Sequence, residues 1–428
     1  MTPTTYDLRQ SLPDAIYHPH YTATKVAESA LYTPGKNHGN KRAGALVGFY
    51  KPLGQSDHDP ENINGLFGKK RPLTIAVDAE WVSEGEGDKA HRVVLSQQYS
   101  FRVAGVRYDA IVVFTRNVRF APGTLLGAIV DFVLTLLPTQ SELVKAGKGR
   151  AALCITLLGH YGIVDLSTFW RKNSQSGLMK QTEGVRRTLV SFEPINIKTF
   201  DGNRNEKYNL KTQLRDTMLL APAGAQSLAK LGETMNFPKL ELTGGFDKSE
   251  MDLLMKHDPT QYLAYALTDT AVTLAWSEVN FGSNTQIPVT IGSIGTKLAR
   301  EHIMATHGWS IEEFDFNWRG MDTSYQPKPS GAKRQWQPER ILTPRPDALD
   351  LINKASASFY GGRNECFAVG IHHGPWFDYD VAGAYATSMA IVPDPDFSIP
   401  PTYTHGYLSL ATISPVSYGF GYVDFEFP

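Results

Sequence analysis

One strand-like run constrains the fold of this 428-residue chain more than any other segment. Residues 73–77, LTIAV, have the apolar and β-branched character of a buried strand, and they lead directly into Asp78-Ala79-Glu80. Residues two apart on a strand share a face, so both carboxylates leave the strand together. Carboxylates this close repel each other unless a cation lies between them, and hard oxygen ligands suit Mg²⁺ or Mn²⁺. The simpler interpretation of an isolated D-x-E is an exposed polar strand end, so a metal site requires further acidic residues.

Strand-like and helical runs alternate through the middle of the chain. A turn rich in Asn and Gly after residue 192 indicates an inserted hairpin. Strands with bracketing helices in this order predict an α/β layer fold with a central mixed sheet. The predicted strands are 73–77, 93–101, 108–115 and 152–158, with another ending near 216, and the predicted helices are 23–31, 125–137, 226–235, 259–276 and 292–307.

The charge balance gives no overall basic signal for nucleic acid, because 42 Lys and Arg residues face 43 Asp and Glu residues. DNA stays open as a partner, since backbone contacts need a local basic stripe rather than a high net charge. Two distant cysteines, Cys154 and Cys366, indicate neither a disulfide framework nor a thiolate zinc site. The N-terminus lacks a secretory signal, and the apolar run 125–137 is too short to span a membrane. We therefore expect a cytoplasmic protein without a membrane partner.

Composition predicts three regions. Residues 1–70 are rich in Pro, Gly, His, Asn and Asp and are interpreted as an N-terminal extension. Residues 71–282 contain the alternating strands and helices. Residues 283–428 begin where the composition changes to loops, and they form the third predicted region.

Three further acidic or aromatic residues follow the D-x-E in order. Asp165 lies in the first helical turn after the strand 152–158, where a lone carboxylate is usually just a favourable charge at a helix N-terminus. Tyr265 and Asp269 are four apart on a predicted helix and so share one face. Such a pair is usually found at a surface. The ordered set D-x-E, G-H-Y-G-x-x-D and Y-x-x-x-D is far more specific than its parts.

This ordered set resembles the three exonuclease motifs of proofreading nucleases, which use four acidic residues and a tyrosine. The resemblance covers residues 71–281 and implies a ribonuclease H-like fold. It also implies two divalent cations, Mg²⁺ or Mn²⁺, roughly 4 Å apart, which activate the attacking water and stabilise the leaving 3′ oxygen. By the resemblance, Asp78 bridges both metals, Glu80 and Asp269 hold the metal on the nucleophile side, Asp165 belongs to the other, and Tyr265 orients the water.

Two details resemble the branch of this family found in protein-primed phage polymerases. Ser227-Leu228 matches an element that contacts single-stranded DNA, and Lys239 matches a lysine that neutralises the scissile phosphate. A helix-start serine and a solvated lysine are the ordinary alternatives. The chain departs from the family at His160-Tyr161, where an Asn is usual, and at Trp81, which concerns the grip on the 3′ end.

A pair of glycines provides a second resemblance. Phe359-Tyr360-Gly361-Gly362 resembles the Y-x-G-G element that joins the exonuclease and palm domains of family B DNA polymerases. Paired glycines let a backbone pass close to a template strand where a Cβ would clash. Arg363 adds a phosphate contact in this interpretation. A simple strand-to-turn Gly-Gly is the alternative.

The run 380–386, DVAGAYA, resembles the polymerase motif D-x-x-S-L-Y-P. The resemblance implies that Asp380 is a metal ligand for the incoming triphosphate and that Tyr385 lies against the deoxyribose. The second acidic motif of the family, Y-x-D-T-D, and its fingers motif do not occur before Pro428.

The sequence therefore predicts the N-terminal region of a family B DNA polymerase of the protein-primed or self-priming type, from a viral or plasmid context. Its 3′-5′ exonuclease is complete and its palm is partial. The expected partners are single-stranded DNA 3′ ends and primer-template DNA, a terminal or priming protein, and dNTP in the full-length enzyme. One alternative is a stand-alone exonuclease that acts on DNA or RNA ends. The other is a catalytically inactive DNA-binding module.

Overall fold

The chain divides into two compact units, residues 1–294 and residues 295–428. A computed structural model describes residues 8–9, 11–32, 43–55, 65–85, 91–115, 120–137, 152–161, 165, 168, 183–186, 189–200, 206–222, 224–326, 339–358, 373–374, 392, 395–406 and 419. The predicted boundaries after residues 70 and 282 stay predictions.

The first unit is built on a sheet with ten described strands. The strands are β1 (Ala15–His18), β2 (Tyr21–Tyr32), β3 (Ala43–Pro52), β4 (Leu73–Glu84), β5 (His91–Val103), β6 (Val106–Phe114), β7 (Leu153–Gly159), β8 (Glu183–Arg186), β9 (Leu189–Phe200) and β10 (Glu206–Asp216). Their order across the sheet is β1-β2-β3-β6-β5-β4-β7-β10-β9-β8. The pairs β4 with β7 and β7 with β10 are parallel, and the other pairs are antiparallel. The predicted α/β class with a mixed sheet is confirmed.

Helices cover both faces of this sheet. The described helices of the first unit are α1 (Pro122–Leu136), α2 (Leu228–Thr234), α3 (Met251–His257) and α4 (Pro259–Phe281), and α5 (Ile291–His307) spans the division between the units. The pairing of β9 with β10 confirms the predicted hairpin. Among the described residues, none of the helices combines the length and apolar character that crossing a bilayer requires.

The alternation along β4 separates two cores. Ile75 and Val77 belong to the hydrophobic cluster under α1, where Phe132 stacks on Phe49 with ring centroids 4.2 Å apart. Val82 belongs to the cluster on the other face, which contains Tyr262 and other residues of α4. Because side chains alternate along a strand, the even-numbered residues of β4 face α4. The strand therefore presents its two carboxylates to α4.

The N-terminal strands were not predicted. Residues 23–31 were expected to be helical, and this prediction is wrong because they lie within β2, which pairs antiparallel with β3. Strand β2 also contributes Tyr21, whose hydroxyl donates to Asp109 Oδ2 at 2.7 Å. The Ser100 hydroxyl donates to the other Asp109 oxygen at 2.6 Å and lies 2.8 Å from Thr270 Oγ1 on α4. A buried hydrogen-bonded chain thus runs from β2 to α4.

The second unit contains smaller elements. They are α6 (Ile311–Asn317), β11 (Met321–Gln326), β12 (Glu339–Pro344) and α7 (Pro346–Ser358), with β11 and β12 paired antiparallel. Helix α6 begins with a capping box in which Ser310 Oγ accepts from the Glu313 N–H and the Glu313 carboxylate accepts from the Ser310 N–H. Buried Asp315 pairs with Arg319 and Arg340.

Candidate metal centre

Strand β4 and helix α4 bring three carboxylates together. Helix α4 starts at Pro259 after Asp258, whose Oδ1 accepts from the Gln261 N–H at 2.9 Å. One oxygen each from Asp78, Glu80 and Asp269 lie within 4.8 Å of one another. Oxygen ligands on opposite sides of a divalent cation are separated by about this distance, since each lies roughly 2.0–2.6 Å from the ion.

The pairing of β4 with β5 shifts directly after this pair of strand carboxylates. Between Glu80 and Trp81 the partner strand β5 carries one extra residue, Leu95, which marks a β-bulge. Bulges occur frequently beside functional sites, where they redirect a side chain. The Trp81 ring carries the guanidinium of Arg92 at 4.2 Å from its centroid. Trp81, where the chain departs from the exonuclease family, thus packs against a residue of β5.

Asp165 joins the cluster through Asp78. It is buried, its carboxyl group hydrogen-bonds the Asp78 carboxyl group, and the Ala79 N–H donates to both residues. The backbone around Asp165 is fixed by Thr168, whose hydroxyl donates to the Asp165 carbonyl at 2.6 Å and accepts from Gln97 Nε2 at 2.7 Å. The structure therefore brings three of the four carboxylates that the sequence singled out into one group and places the fourth, Asp165, beside Asp78.

The pKa values show how strongly these carboxylates oppose one another. Burial and the charge of Asp269 raise the pKa of Asp78 to about 7. Burial and the charges of Asp78 and Asp269 raise the pKa of Glu80 well above its usual range. Burial raises the pKa of Asp165 in the same way, with the charges of Asp78 and Glu80 adding to the effect. Without a cation, the cluster holds protons at neutral pH.

Lys239 supplies positive charge at one edge of the cluster. Its ammonium group donates to Asp269 Oδ2 and lies 5.0 Å from the centroid of the Tyr265 ring. Burial alone would lower the pKa of Lys239, but the charges of Asp269, Tyr265 and Asp78 and the hydrogen bond to Asp269 together outweigh it, so the pKa is raised. Burial, followed by the charge of Asp269, raises the pKa of Tyr265. Both groups therefore keep their protons at neutral pH.

The donor set fits a hard divalent cation. Every candidate ligand is a carboxylate oxygen, which Mg²⁺ and Mn²⁺ prefer. Asp269 Oδ1 is buried, and none of the described residues provides it with a hydrogen-bond partner. Buried acceptors rarely stay unpaired in native proteins, so this oxygen points to a ligand. Asp78, Glu80, Asp165 and Asp269 would hold the ion.

Ser227 and Leu228 lie at the start of α2. The Ser227 hydroxyl accepts from the Lys230 N–H at 3.2 Å, so this residue is the N-cap of the helix. Leu228 is the first helical residue. The helix-start alternative for Ser227 is thus present in the structure, and the DNA contact of this pair stays a prediction.

Two polar residues near the cluster have partners that the sequence did not reveal. His160 Nδ1 lies 2.8 Å from Thr217 Oγ1, and burial together with the charge of Lys239 lowers the pKa of His160 to about 4. His160 is therefore neutral at physiological pH. Asp216 accepts from the N–H groups of Tyr161 and Met218 at 3.1 and 2.9 Å, so it caps the turn at the end of β10.

The predicted polymerase residues lie outside the part of the chain that the structure describes. They are Phe359, Tyr360, Gly361, Gly362, Arg363, Asp380 and Tyr385. Their roles stay predictions from resemblance.

Comparison with known proteins gives one polymerase relative. The chain is 26% identical over 313 residues to the protein named primer-independent DNA polymerase PolB of Escherichia coli. The matched region covers 64% of this chain and 33% of that relative, so the chain spans about a third of the relative's length. No protein-family model matches the chain.

Proposed function

We propose that the chain is part of a family B DNA polymerase and that its first unit is a 3′-5′ exonuclease of ribonuclease H-like fold. The observation that carries the proposal is the convergence of Asp78, Glu80 and Asp269 within 4.8 Å, with Asp165 hydrogen-bonded to Asp78. These residues come from separate segments of the chain and match the order of the exonuclease motifs. An ordinary surface cluster would not bury its carboxylates beside a lysine.

The similarity to a DNA polymerase supports this proposal at the level of the family. The relative is named primer-independent, which favours the self-priming alternative over a terminal protein. We therefore place DNA 3′ ends and primer-template DNA first among the partners, and dNTP with the full-length enzyme. Asp380, Tyr385 and the run from Phe359 to Arg363 belong to the proposed palm region, residues 283–428.

Each residue of the centre has a defined task in this proposal. The four carboxylates would hold two divalent cations, Mg²⁺ or Mn²⁺, which when bound lower the pKa of a coordinated water and stabilise charge on the leaving oxygen. Tyr265 keeps its hydroxyl proton and can orient the attacking water by hydrogen bonding. Lys239 stays positively charged and neutralises the scissile phosphate. Ser227 and Leu228, at the exposed start of α2, contact the single strand.

Release of nucleotides from a single-stranded DNA labelled at its 3′ end tests the proposal. We expect Mg²⁺-dependent release by the 428-residue chain and release at background level by the Asp78→Ala, Glu80→Ala double variant. The control is Asp252→Ala, which removes an exposed carboxylate from α3 and should leave the rate unchanged.

Equal rates for the parent chain and the double variant would contradict the exonuclease assignment. An RNA strand of the same sequence serves as a second substrate. Faster release from RNA than from DNA would favour the stand-alone nuclease over the polymerase-associated one.

A further inference from the structure

Gln98 lies on β5, the strand next to β4, beside Asp78 of the candidate metal centre. Strand β5 pairs antiparallel with β4, and the register sets Gln98 opposite Asp78 and Ser96 opposite Glu80. Residues opposite each other in an antiparallel pair share a face, with Cβ atoms about 4.5–5.5 Å apart. Gln98 therefore faces α4 together with the two strand carboxylates, and it is fully buried.

Hydrogen bonds from the serines on either side of Gln98 show which part of α4 it faces. Ser96 Oγ lies 2.5 Å from the Tyr262 hydroxyl, and Ser100 Oγ lies 2.8 Å from Thr270 Oγ1. Gln98 is midway between these serines on β5. The point of α4 midway between Tyr262 and Thr270 lies within about one helical turn of Asp269, so Gln98 faces the helix near the third carboxylate.

The amide of Gln98 is bonded at one end only. Its Nε2 donates to Ser96 Oγ at 2.5 Å, which fixes the orientation of the amide plane. Its Oε1 is buried and has no hydrogen-bond partner among the described residues. Asp269 Oδ1 is in the same condition. A buried acceptor without a donor is destabilising, so two such acceptors that face each other between β5 and α4 indicate a missing donor or cation.

We propose that Gln98 is a positioning residue of the metal centre, whose Oε1 accepts a hydrogen bond from a water molecule bound to the divalent cation that Asp78, Glu80 and Asp269 hold. Mg²⁺ and similar ions keep several of their waters when a few carboxylates bind them, and each water needs acceptors. The Ser96 bond orients Gln98 as outer groups orient the ligands of other metal sites. This inference rests on the proposed function, because it requires the cation.

Binding of Mn²⁺ to the whole chain, measured by calorimetry and by the rise in melting temperature, tests the inference without an activity assay. Gln98→Met removes the acceptor at nearly constant volume, and we expect about tenfold weaker Mn²⁺ binding, the size typical of outer-group changes at metal sites. Gln98→Glu adds a negative charge, so we expect a lower melting temperature in EDTA and a larger rise on addition of Mn²⁺.

Gln213→Met is the matched control. Gln213 is also buried, but both ends of its amide are bonded, with Nε2 donating to Thr156 Oγ1 at 2.8 Å and Oε1 accepting from Arg215 at 3.1 Å. Its replacement should lower the melting temperature and leave the Mn²⁺ dissociation constant unchanged.

The outcomes separate this inference from the proposed function. If Asp78→Ala abolishes Mn²⁺ binding but Gln98→Met and Gln98→Glu bind Mn²⁺ like the parent chain, Gln98 is only structural and the inference is wrong. If the parent chain itself binds no Mn²⁺, the proposed function fails and the inference fails with it. Opposite effects of the Met and Glu variants on Mn²⁺ affinity support it, because a purely structural glutamine would be damaged in the same direction by both.

Discussion

Lys239 engages one oxygen of Asp269 and leaves the other without a partner among the described residues. The remaining oxygen belongs to a group of carboxylates that repel one another. Lys239 therefore leaves an excess of negative charge at the centre, which a bound cation would neutralise. At this scale the site is defined by charge rather than by shape.

The titration of Asp78 gives a prediction for the metal-free chain. Its folded pKa is about 7 against an ordinary value of 3.8, so between these pH values the folded state binds more protons than the unfolded chain. The stability that comes from Asp78 is complete below the ordinary value and is lost as the pH rises through the folded value. We expect the melting temperature in EDTA to fall between about pH 4 and about pH 7, and Asp78→Asn to flatten this fall.

Saturating Mn²⁺ is the control for this titration, because a bound cation removes the repulsion and should abolish most of the pH dependence. The same slope for the parent chain and Asp78→Asn in EDTA would contradict the assignment of the raised pKa to Asp78.

The residues that the sequence identified are related by short spacings within one element, whereas the residue that it missed is related to them only through the pairing of two strands. Asp78 and Glu80 are two apart on one strand, and Tyr265 and Asp269 are four apart on one helix, so local periodicity is enough to pair them. Gln98 becomes relevant only because β5 pairs with β4 in one particular register. Nothing near Gln98 in the sequence states which strand will lie beside it.

Among the elements, α1 shows how closely helix and sheet approach. A Cβ added to Gly123 would lie 2.3 Å from the carbonyl oxygen of Lys198 on β9, whereas one added to Gly127 would meet Thr199 side-chain atoms at 3.4 Å. Only a glycine fits at the first position without a backbone shift. Gly123, in the first turn of α1, is thus also a packing contact with β9.

This contrast predicts opposite effects of two alanine substitutions in one helix. Gly123→Ala should lower the free energy of unfolding by about 1–3 kcal/mol, because the helix must move away from β9. Gly127→Ala should raise it by about 0.5–1 kcal/mol through helix propensity, since the new methyl group makes ordinary contacts. Denaturant unfolding of both variants measures the difference, and equal destabilisation by both would show that the close approach at Lys198 does not exist.

The N-terminal strands show where element prediction fails. Residues 23–31 carry a mixed polar pattern that permits a helix, but pairing with β1 on one side and β3 on the other decides in favour of a strand. By contrast, the prediction of α4 as 259–276 is correct at its start, because the helix begins at a proline, but the helix continues to Phe281. Elements with internal signals are predictable, and elements whose conformation depends on pairing with other strands are not.

On the scale of the whole molecule, all four candidate carboxylates lie in the first unit, residues 1–294. A chain ending at residue 294 should therefore fold and show a rise in melting temperature with Mn²⁺ equal to that of the 428-residue chain. The same truncated chain with Asp78→Ala and Glu80→Ala is the control and should show no rise. A truncated chain that melts normally but does not respond to Mn²⁺ would contradict the placement of the whole centre in this unit.

The hydrogen-bonded chain from Tyr21 through Asp109 and Ser100 to Thr270 affects which fragments of the gene could encode a stable acidic centre. It connects strand β2 to the helical turn that carries Asp269, so a gene fragment beginning at residue 71 would encode every candidate ligand and still lose part of their support. Asp109 would then be left with Arg107 at 3.3 Å and Ser100 at 2.6 Å, without the Tyr21 hydroxyl. A recombination event that separated these N-terminal strands from the acidic motifs would keep the candidate metal ligands but lose a hydrogen bond that helps to hold α4 against the sheet.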